Sequence, residues 1–530
     1  MLQCLWRACG VPVKTVIAAA SIVGVAVLIV VFNGGLSVGF SNHAMLMPVV
    51  RRILNPDYLP GDFGIALRWY HHRAFLYVVA AATWLLGEDR ALIGLAVAGK
   101  LFLSLALFIF CRSLGLPIKA FWIVGLFVAF SVLWTGRGLE INSFVGGPEI
   151  MPPTFAFALI LLVVGSLLRK RLGLAAFLSG LVFLMHMQIG VIFAVAILPF
   201  FITELRDSTA KAGEALRLTM LAAVPSLPAI WWLVELFQRG LARSSSLSLV
   251  EFRMPHHFEL ISPTRVSAVG VHLIVQGLLY AWLRREGRAE ARPVGILFSM
   301  SLVVGIFSLL HVLAYGFLGN GTIAQMQFIR VTPLVTVFGT VCMLLGIEAW
   351  ARAQAEERNT RRIAHAILFV AMGVWLLYRL EQGTFRATGV RKYADTDSGW
   401  VDICRWIKEH GPQNTVYLTP PGEEGFTYLS DRSNVVEFKN NPDGGLYLDE
   451  WLTRLRDLAG GSLPAQKGFK NEGLLNHSFA MLTAAQLGEL GDKYRARYAV
   501  LAGESEVDLE VLYQNKEYRI VSIRASEYPP

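Results

Sequence analysis

"AFLYVVAAATWLLG" (residues 74–87) is apolar enough to enter a membrane and short for crossing one. A spanning helix needs ~20 apolar residues. Whether this stretch crosses decides which side every later loop faces. Suppose that it does not cross. The loops on one side are then 1–14, 112–119, "RKR" 169–171, 205–217, "RREGRAEAR" 284–292 and "RAQAEERNTRR" 352–362, and each is basic. The opposite loops, including 136–150 and 317–326, carry few positive charges for their length. If 74–87 did cross, every later loop would change sides and the asymmetry would conflict with the N-terminus. Basic loops mark the cytoplasmic face. The pattern therefore predicts a re-entrant or interfacial helix at 74–87, lying at the outer surface.

The rest of the chain agrees. It has 530 residues, 54% hydrophobic and 16% charged, where a soluble chain averages about a quarter charged. Apolar runs occur at about 14–33, 90–111, 118–135, 151–168, 173–187, 188–204, 216–238, 265–283, 293–316, 327–350 and 363–380, and then stop. The expected fold is a polytopic α-helical membrane protein of about eleven spans, residues 1–381, followed by an α/β domain, residues 382–530. The N-terminus is expected in the cytoplasm and the C-terminal domain outside, in a bacterial inner (plasma) membrane. Val16 to Phe32 follows Arg7 and Lys14 with no clear cleavage site after it, so it reads as a retained first helix rather than a signal peptide. The net charge of +9 sits in the short loops, which argues for topology and against nucleic acid. Five cysteines at 4, 9, 111, 342 and 404 form no metal motif and no disulfide framework. "NGT" at 320 and "NHS" at 476 are sequons read as unused.

This topology gathers polar sequence on the outer face. The first outer loop, 34–89, contains "NPDYLPGDFG" (55–64) and "RWYHHR" (68–73). The second contains "GRGLEINSFVGGPEIMPP" (136–153), and a later one, 239–264, contains "EFRMPHHFEL". Within the spans, His186, Glu235, His272, His311 and Arg330 fall near the outer ends of five helices. Ionisable groups in spans are costly and point to function, so the five are expected to face a polar cavity open to the outside. Lys100, near mid-span, receives no role. Arg330 opens a span in "QMQFIR" (325–330), where its planar donor fork suits a lipid phosphate.

In the C-terminal part, "GWVDICRWIKEH", "LYLDEWLTRLRDLAG" and "TAAQLGELGDKY" read as helices. "TVYLTPP", "SNVVEF", "YAVLAG" and "YRIVSIR" read as strands. "TPPGEEGF" has neither a Gly-rich dinucleotide fingerprint nor a P-loop lysine, so nucleotide binding is not expected. Lys439, in the loop of "RSNVVEFKNNPDGG" (432–445), is positioned to meet an anion or plain solvent.

One helix, then a long acidic outer loop whose helix fails to cross, resembles the GT-C superfamily of polytopic glycosyltransferases that use polyprenyl-phosphate-linked sugars. The resemblance is architectural and covers about residues 1–380. It implies a catalytic carboxylate in the first outer loop, matched by Asp62 in "PGDFG" with Asp57 as the near alternative. It implies a second acid in the next loop, matched by Glu140 or Glu149. No D-x-D and no WWD-type signature occurs in these loops. The implied partners are a polyprenyl-phosphate-linked sugar, membrane lipid, and a glycan, lipid or protein acceptor. The C-terminal stretch also resembles uncharacterised bacterial polytopic proteins.

Sugar transfer independently needs a base for the acceptor proton and positive charge at the departing phosphate. Asp62 follows Pro60–Gly61 and precedes Phe63, which favours it as the base. Arg330, or a divalent metal ion held by carboxylates and histidines, would supply the charge. His43, His71, His72, His186, His256, His257, His311 and Lys439 complete the expected substrate-binding set. Adjacent histidines point in different directions, so His71–His72 and His256–His257 offer one ligand each at most. The alternatives are a transporter or scramblase of lipid-linked glycans, a glycan polymerase or ligase, and an envelope assembly partner. No internal repeat supports a transporter.

Overall fold

The computed structural model describes residues 12–70, 72–131, 147–206, 211–238, 252–255, 263–320, 323, 326–353, 389–442 and 447–523. The expected span 363–380 lies outside them, as do His71, Glu140, His256 and His257.

The helices of the first part are α1 Val13–Phe32, α2 Asn42–Leu54, α3 Phe63–Arg68, α4 Arg73–Leu86, α5 Glu88–Ser113, α6 Ile118–Ser131, α7 Pro152–Leu168, α8 Leu172–Met185, α9 Met187–Arg206, α10 Lys211–Gln238, α11 Pro263–Arg285, α12 Ala291–Val312 and α13 Pro333–Ala353. Among the described residues, five helices are long and apolar enough to cross a membrane: Val13–Phe32, Glu88–Ser113, Ala212–Leu236, Ala291–Phe317 and Phe328–Ala353. Shorter apolar helices occupy most of the other expected runs. At 1.5 Å per residue, the 14 residues of α4 reach about 21 Å, short of the ~30 Å hydrocarbon core. Gly87, at φ +79°, separates α4 from α5.

The runs at 173–187 and 188–204 are separate helices because the backbone of His186 is extended (φ −155°, ψ 94°). The chain bends so sharply there that a Cβ on Gly190 would lie 2.5 Å from the Phe183 Cα. Only glycine fits that approach.

After α1, Gly34 and Gly35 turn the chain into strand β1, Leu36–Val38. It pairs in parallel with β2, Val390–Lys392, in the register Leu36↔Val390 and Val38↔Lys392. A Cβ on Gly35 would sit 2.4 Å from the Gly389 carbonyl, so glycine permits the closest point of this junction. The remaining strands are β3 Val416–Leu418, β4 Ser433–Asn434, β5 Ala496–Ala502, β6 Val511–Gln514 and β7 Tyr518–Ser522. They form one sheet of order β4-β3-β5-β7-β6. The β4–β3–β5 side is parallel and the β5–β7–β6 side antiparallel. Helices α14 Gly399–His410, α15 Phe426–Ser430, α16 Leu448–Leu458, α17 Lys470–Ala480 and α18 Ala484–Tyr494 accompany it. The strand expected over "SNVVEF" is only two residues long, and α17 and β6 carried no clear sequence signal.

The sheet region does not keep its core to itself. Trp400, Ile403, Ile407, Tyr417 and Phe426 share one buried cluster with Leu36, Met47, Val50, Phe75 and Leu76 of the first outer loop. A second cluster joins Phe63 and Leu67 of α3 to Val436, Phe438, Trp451 and Leu455. Two further segments clasp the same region. Ser37 N–H donates to the Pro148 carbonyl at 2.9 Å. Phe252 packs edge-on against Phe438 and Trp451, and its carbonyl accepts from Gly468 N–H and Asn471 Nδ2. All three segments belong to loops that the charge pattern placed on one side.

Candidate functional site

The segment Gly147–Met151 is gripped at every residue. Lys100 Nζ donates to the Gly147 carbonyl at 2.8 Å, which gives that buried spanning lysine a task. Ser37 N–H holds Pro148. Asn42, at the start of α2, stabilises Glu149 through its backbone N–H and its side chain. The His43 ring Nε2 makes a long, 3.4 Å contact with the Ile150 carbonyl, and Asn42 Nδ2 reaches Met151 Sδ at 3.4 Å. The N-terminal end of a helix favours an anion, so α2 supports the Glu149 carboxylate. Burial outweighs that support and raises the Glu149 pKa to about 7. Lys439 lowers it and Glu424 raises it. His43 is buried, with its pKa lowered to about 4, and lies neutral beneath the segment.

Lys439 Nζ pairs with the Glu424 carboxylate. Two guanidinium groups reach the loop that carries Lys439. Arg68 Nε donates to Asn440 Oδ1 at 2.9 Å and Nη2 to Asn441 Oδ1 at 3.2 Å. Arg253 Nε donates to the Phe438 carbonyl at 2.9 Å and Nη2 to the Lys439 carbonyl at 3.2 Å. Arg253 is 4% exposed, and its Nη1 has no hydrogen-bond partner. Burial and the neighbouring Arg68 charge lower its pKa to about 10. Lys439 thus sets a cation beside Glu149, and the two guanidinium groups donate to the segment 438–441 that carries this lysine.

Asp62 has a structural task. Its side chain caps α3, accepting from Ile65 N–H at 2.9 Å. It is 5% exposed, and its Oδ2 makes no well-formed hydrogen bond, although the Ser433 hydroxyl stands near enough to lower its pKa slightly. Burial still raises that pKa to about 6. Asp57 is exposed in a turn, where its N–H donates to Asn55 Oδ1.

A second polar cluster forms where α9 begins. Arg330 Nη1 lies 3.4 Å from His186 Nε2, and the His72 ring packs on His186 at 4.5 Å between centroids. Glu235 accepts from Tyr70 Oη at 3.1 Å and from Arg73 Nη1 at 3.0 Å. Of the five intramembrane groups, His186 and Arg330 therefore meet. Glu235 turns to the first outer loop, His272 packs against Gly339, and His311 stacks near Tyr315. Among the described residues, no group of three or more His, Cys, Asp or Glu is placed to hold a metal ion.

The chain is similar to two solved structures along nearly its whole length. One is the crystal structure of ArnT from Cupriavidus metallidurans bound to undecaprenyl phosphate, at 12% identity and a TM-score of 0.41, covering 98% of this chain and 100% of that one. The other is the same protein in the apo state, at 13% identity and a TM-score of 0.39, covering 96% and 98%. No curated protein matches. Residues 398–458 match DUF6798, a domain of unknown function.

That matched stretch contributes Glu424, Lys439, Asn440 and Asn441 to the cluster. Sequence reasoning singled out Glu149 and Lys439 without joining them. It passed over Asn42, Arg68, Arg253 and Glu424. Arg253 stood in "EFRMPHHFEL", read only for its histidines, and Arg68 opened "RWYHHR". An arginine in an outer loop beside aromatic residues was the available signal.

Proposed function

We propose that this chain is a membrane glycosyltransferase that moves a sugar from a polyprenyl-phosphate-linked donor to an acceptor outside the cytoplasm. The observation that carries the reading is Glu149. It is a half-buried carboxylate held by Asn42, with a pKa of about 7, beside Lys439, whose segment is bound by Arg68 and Arg253. A base of that pKa is half ionised near neutral pH, where proton acceptance is most effective. In the proposed step the acceptor oxygen bonds to the sugar C1 and its proton passes to Glu149. The bond from C1 to the phosphate oxygen breaks, and its electron pair leaves with the phosphate. Lys439, Arg68 and Arg253 stabilise that growing charge. Arg330 packs with His186 and His72, whereas Lys439 acts on Glu149 and the two arginines hold the loop segment of Lys439, so the reading rests on these three. The contacts of loops 34–89, 136–150 and 239–264 with the C-terminal region support their lying together outside, with the basic loops in the cytoplasm.

The test is transfer from polyprenyl-phosphate sugars in proteoliposomes. Glu149→Gln is expected to lower the rate ~10²–10⁴-fold with membrane insertion unchanged, while Asp57→Asn retains it. Full activity of Glu149→Gln would remove the base from this reading.

A further inference from the structure

A cavity of about 360 Å³ opens between α3, which also carries Arg68, and α16, and is lined by Arg52, Asp62, Phe63, Trp69, Tyr447 and Arg454, among others. That volume lies at the small end of ligand sites. Its walls alternate apolar rings with unspent polar groups. Trp69 and Tyr447 are half-buried, and neither the indole N–H nor the phenol has a hydrogen-bond partner among the described residues. Arg52 spends one N–H on the Tyr58 carbonyl, at 2.6 Å, and has no other hydrogen-bond partner among the described residues. Asp62 Oδ2 accepts no well-formed hydrogen bond. Arg454, by contrast, is occupied by Glu450 at 2.7 Å and the Val435 carbonyl at 3.0 Å, with its guanidinium 3.9 Å from the centre of the Phe63 ring.

We propose that this cleft binds a neutral pyranose, the sugar of the acceptor. The assignment deepens the glycosyltransferase reading and rests on it for the word acceptor, though not for the binding. Each sugar hydroxyl both donates and accepts, so one ring can serve Arg52, Trp69, Tyr447 and Asp62 together. The apolar face made by its axial hydrogens suits an aromatic wall. An acyl chain would cover the same walls but leave those polar groups buried and unpaired, which is costly. A phosphate would meet the Asp62 carboxylate. The polar groups thus select a neutral polyol over a lipid tail or an anion.

Saturation-transfer-difference NMR tests this on the full chain in nanodiscs, with the methyl glycosides of glucose, galactose and N-acetylglucosamine as probes. Transfer to the ring protons of at least one probe is expected. Trp69→Ala should weaken binding about ten-fold or more, as expected for the loss of ~1.4 kcal/mol. Tyr447→Phe, which removes one hydroxyl and keeps the ring, should weaken it less. Glu149→Gln should leave it unchanged. Transfer to none of the three glycosides would overturn the proposal, as would binding indifferent to both Trp69→Ala and Tyr447→Phe. If binding behaves as expected and no lipid-linked donor supports transfer, the catalytic reading fails and the cleft stands. If Glu149→Gln abolishes transfer while the Trp69 variant still binds normally, the cleft fails alone.

Discussion

Glu149 and Asp62 are both carboxylates whose pKa values are raised by desolvation, yet their oxygens are committed differently. Asp62 caps a helix, and removing such a cap costs about 1 kcal/mol. Glu149 is held by Asn42 while remaining partly exposed to a neighbourhood of cations. Its folded pKa is raised from 4.5 to about 7, so the protonated, inactive form dominates below that value. The pH profile of kcat/KM should therefore fall on its acid side with an apparent pKa near 7. Lys439→Met removes a charge that favours the ionised form, so this limb should move to higher pH. Glu424→Gln removes a charge that opposes it, so the limb should move lower. A limb that stays in place in both variants would show that another group sets it. Sequence alone pointed to Asp62 because a turn is written in adjacent residues. The case for Glu149 comes from Asn42 and Lys100, 107 and 49 residues away, and no local pattern records those contacts.

At the scale of elements, α4 is the most legible feature. Its length, its flanking charges and the sidedness of later loops all pointed to a helix that does not cross. In the structure it is a 14-residue unit ended by Gly87, with Trp84 76% exposed and Leu85 and Leu86 beside it also exposed. Its other face, with Phe75, Leu76, Val79 and Ala80, is buried against the first outer loop. An exposed Trp-Leu-Leu end suits the interface between headgroups and acyl chains. Brominated phospholipids should test this through the difference in fluorescence between the native chain and Trp84→Phe. Bromines just below the headgroups should quench the Trp84 signal more than bromines near the bilayer centre. The reverse order would place Trp84 near the bilayer centre and take the end of α4 out of the interface. The break at His186 was less legible. The two apolar runs read as separate, but only the approach of Gly190 to Phe183 reveals how sharply they bend.

At the scale of the whole molecule, the C-terminal region is built into the first outer loop rather than hung from the last helix. Arg51 of α2 shows how closely the two are joined. It binds Glu88 through two nitrogens at 2.9 and 3.0 Å and Asp431 at 2.6 Å, with its guanidinium over the Tyr428 ring. The strand pair β1–β2, the hydrophobic cluster of Trp400 with Val50 and Leu76, and the cluster of Phe63 with Trp451 add three further joints. Sequence could show a small α/β unit after residue 382, because its periodicity is local. It could not show that both of its cores borrow side chains from residues 36–80, because those partners are more than 300 positions away. Residues 389–530 expressed alone would expose Trp400, Ile403, Ile407, Phe438 and Trp451 where the first loop now covers them. Such a fragment should keep much of its secondary structure, lose near-ultraviolet circular dichroism and bind a hydrophobic dye, as compact states without fixed packing do. Fusing residues 34–70 to it through a flexible Gly/Ser tether should restore a cooperative melt. A sharp thermal transition for the fragment without that loop would show that the sheet supports its own core. The clefts flanking α3 would then lie between two independent bodies, free to open and close around a substrate, rather than within one packed unit.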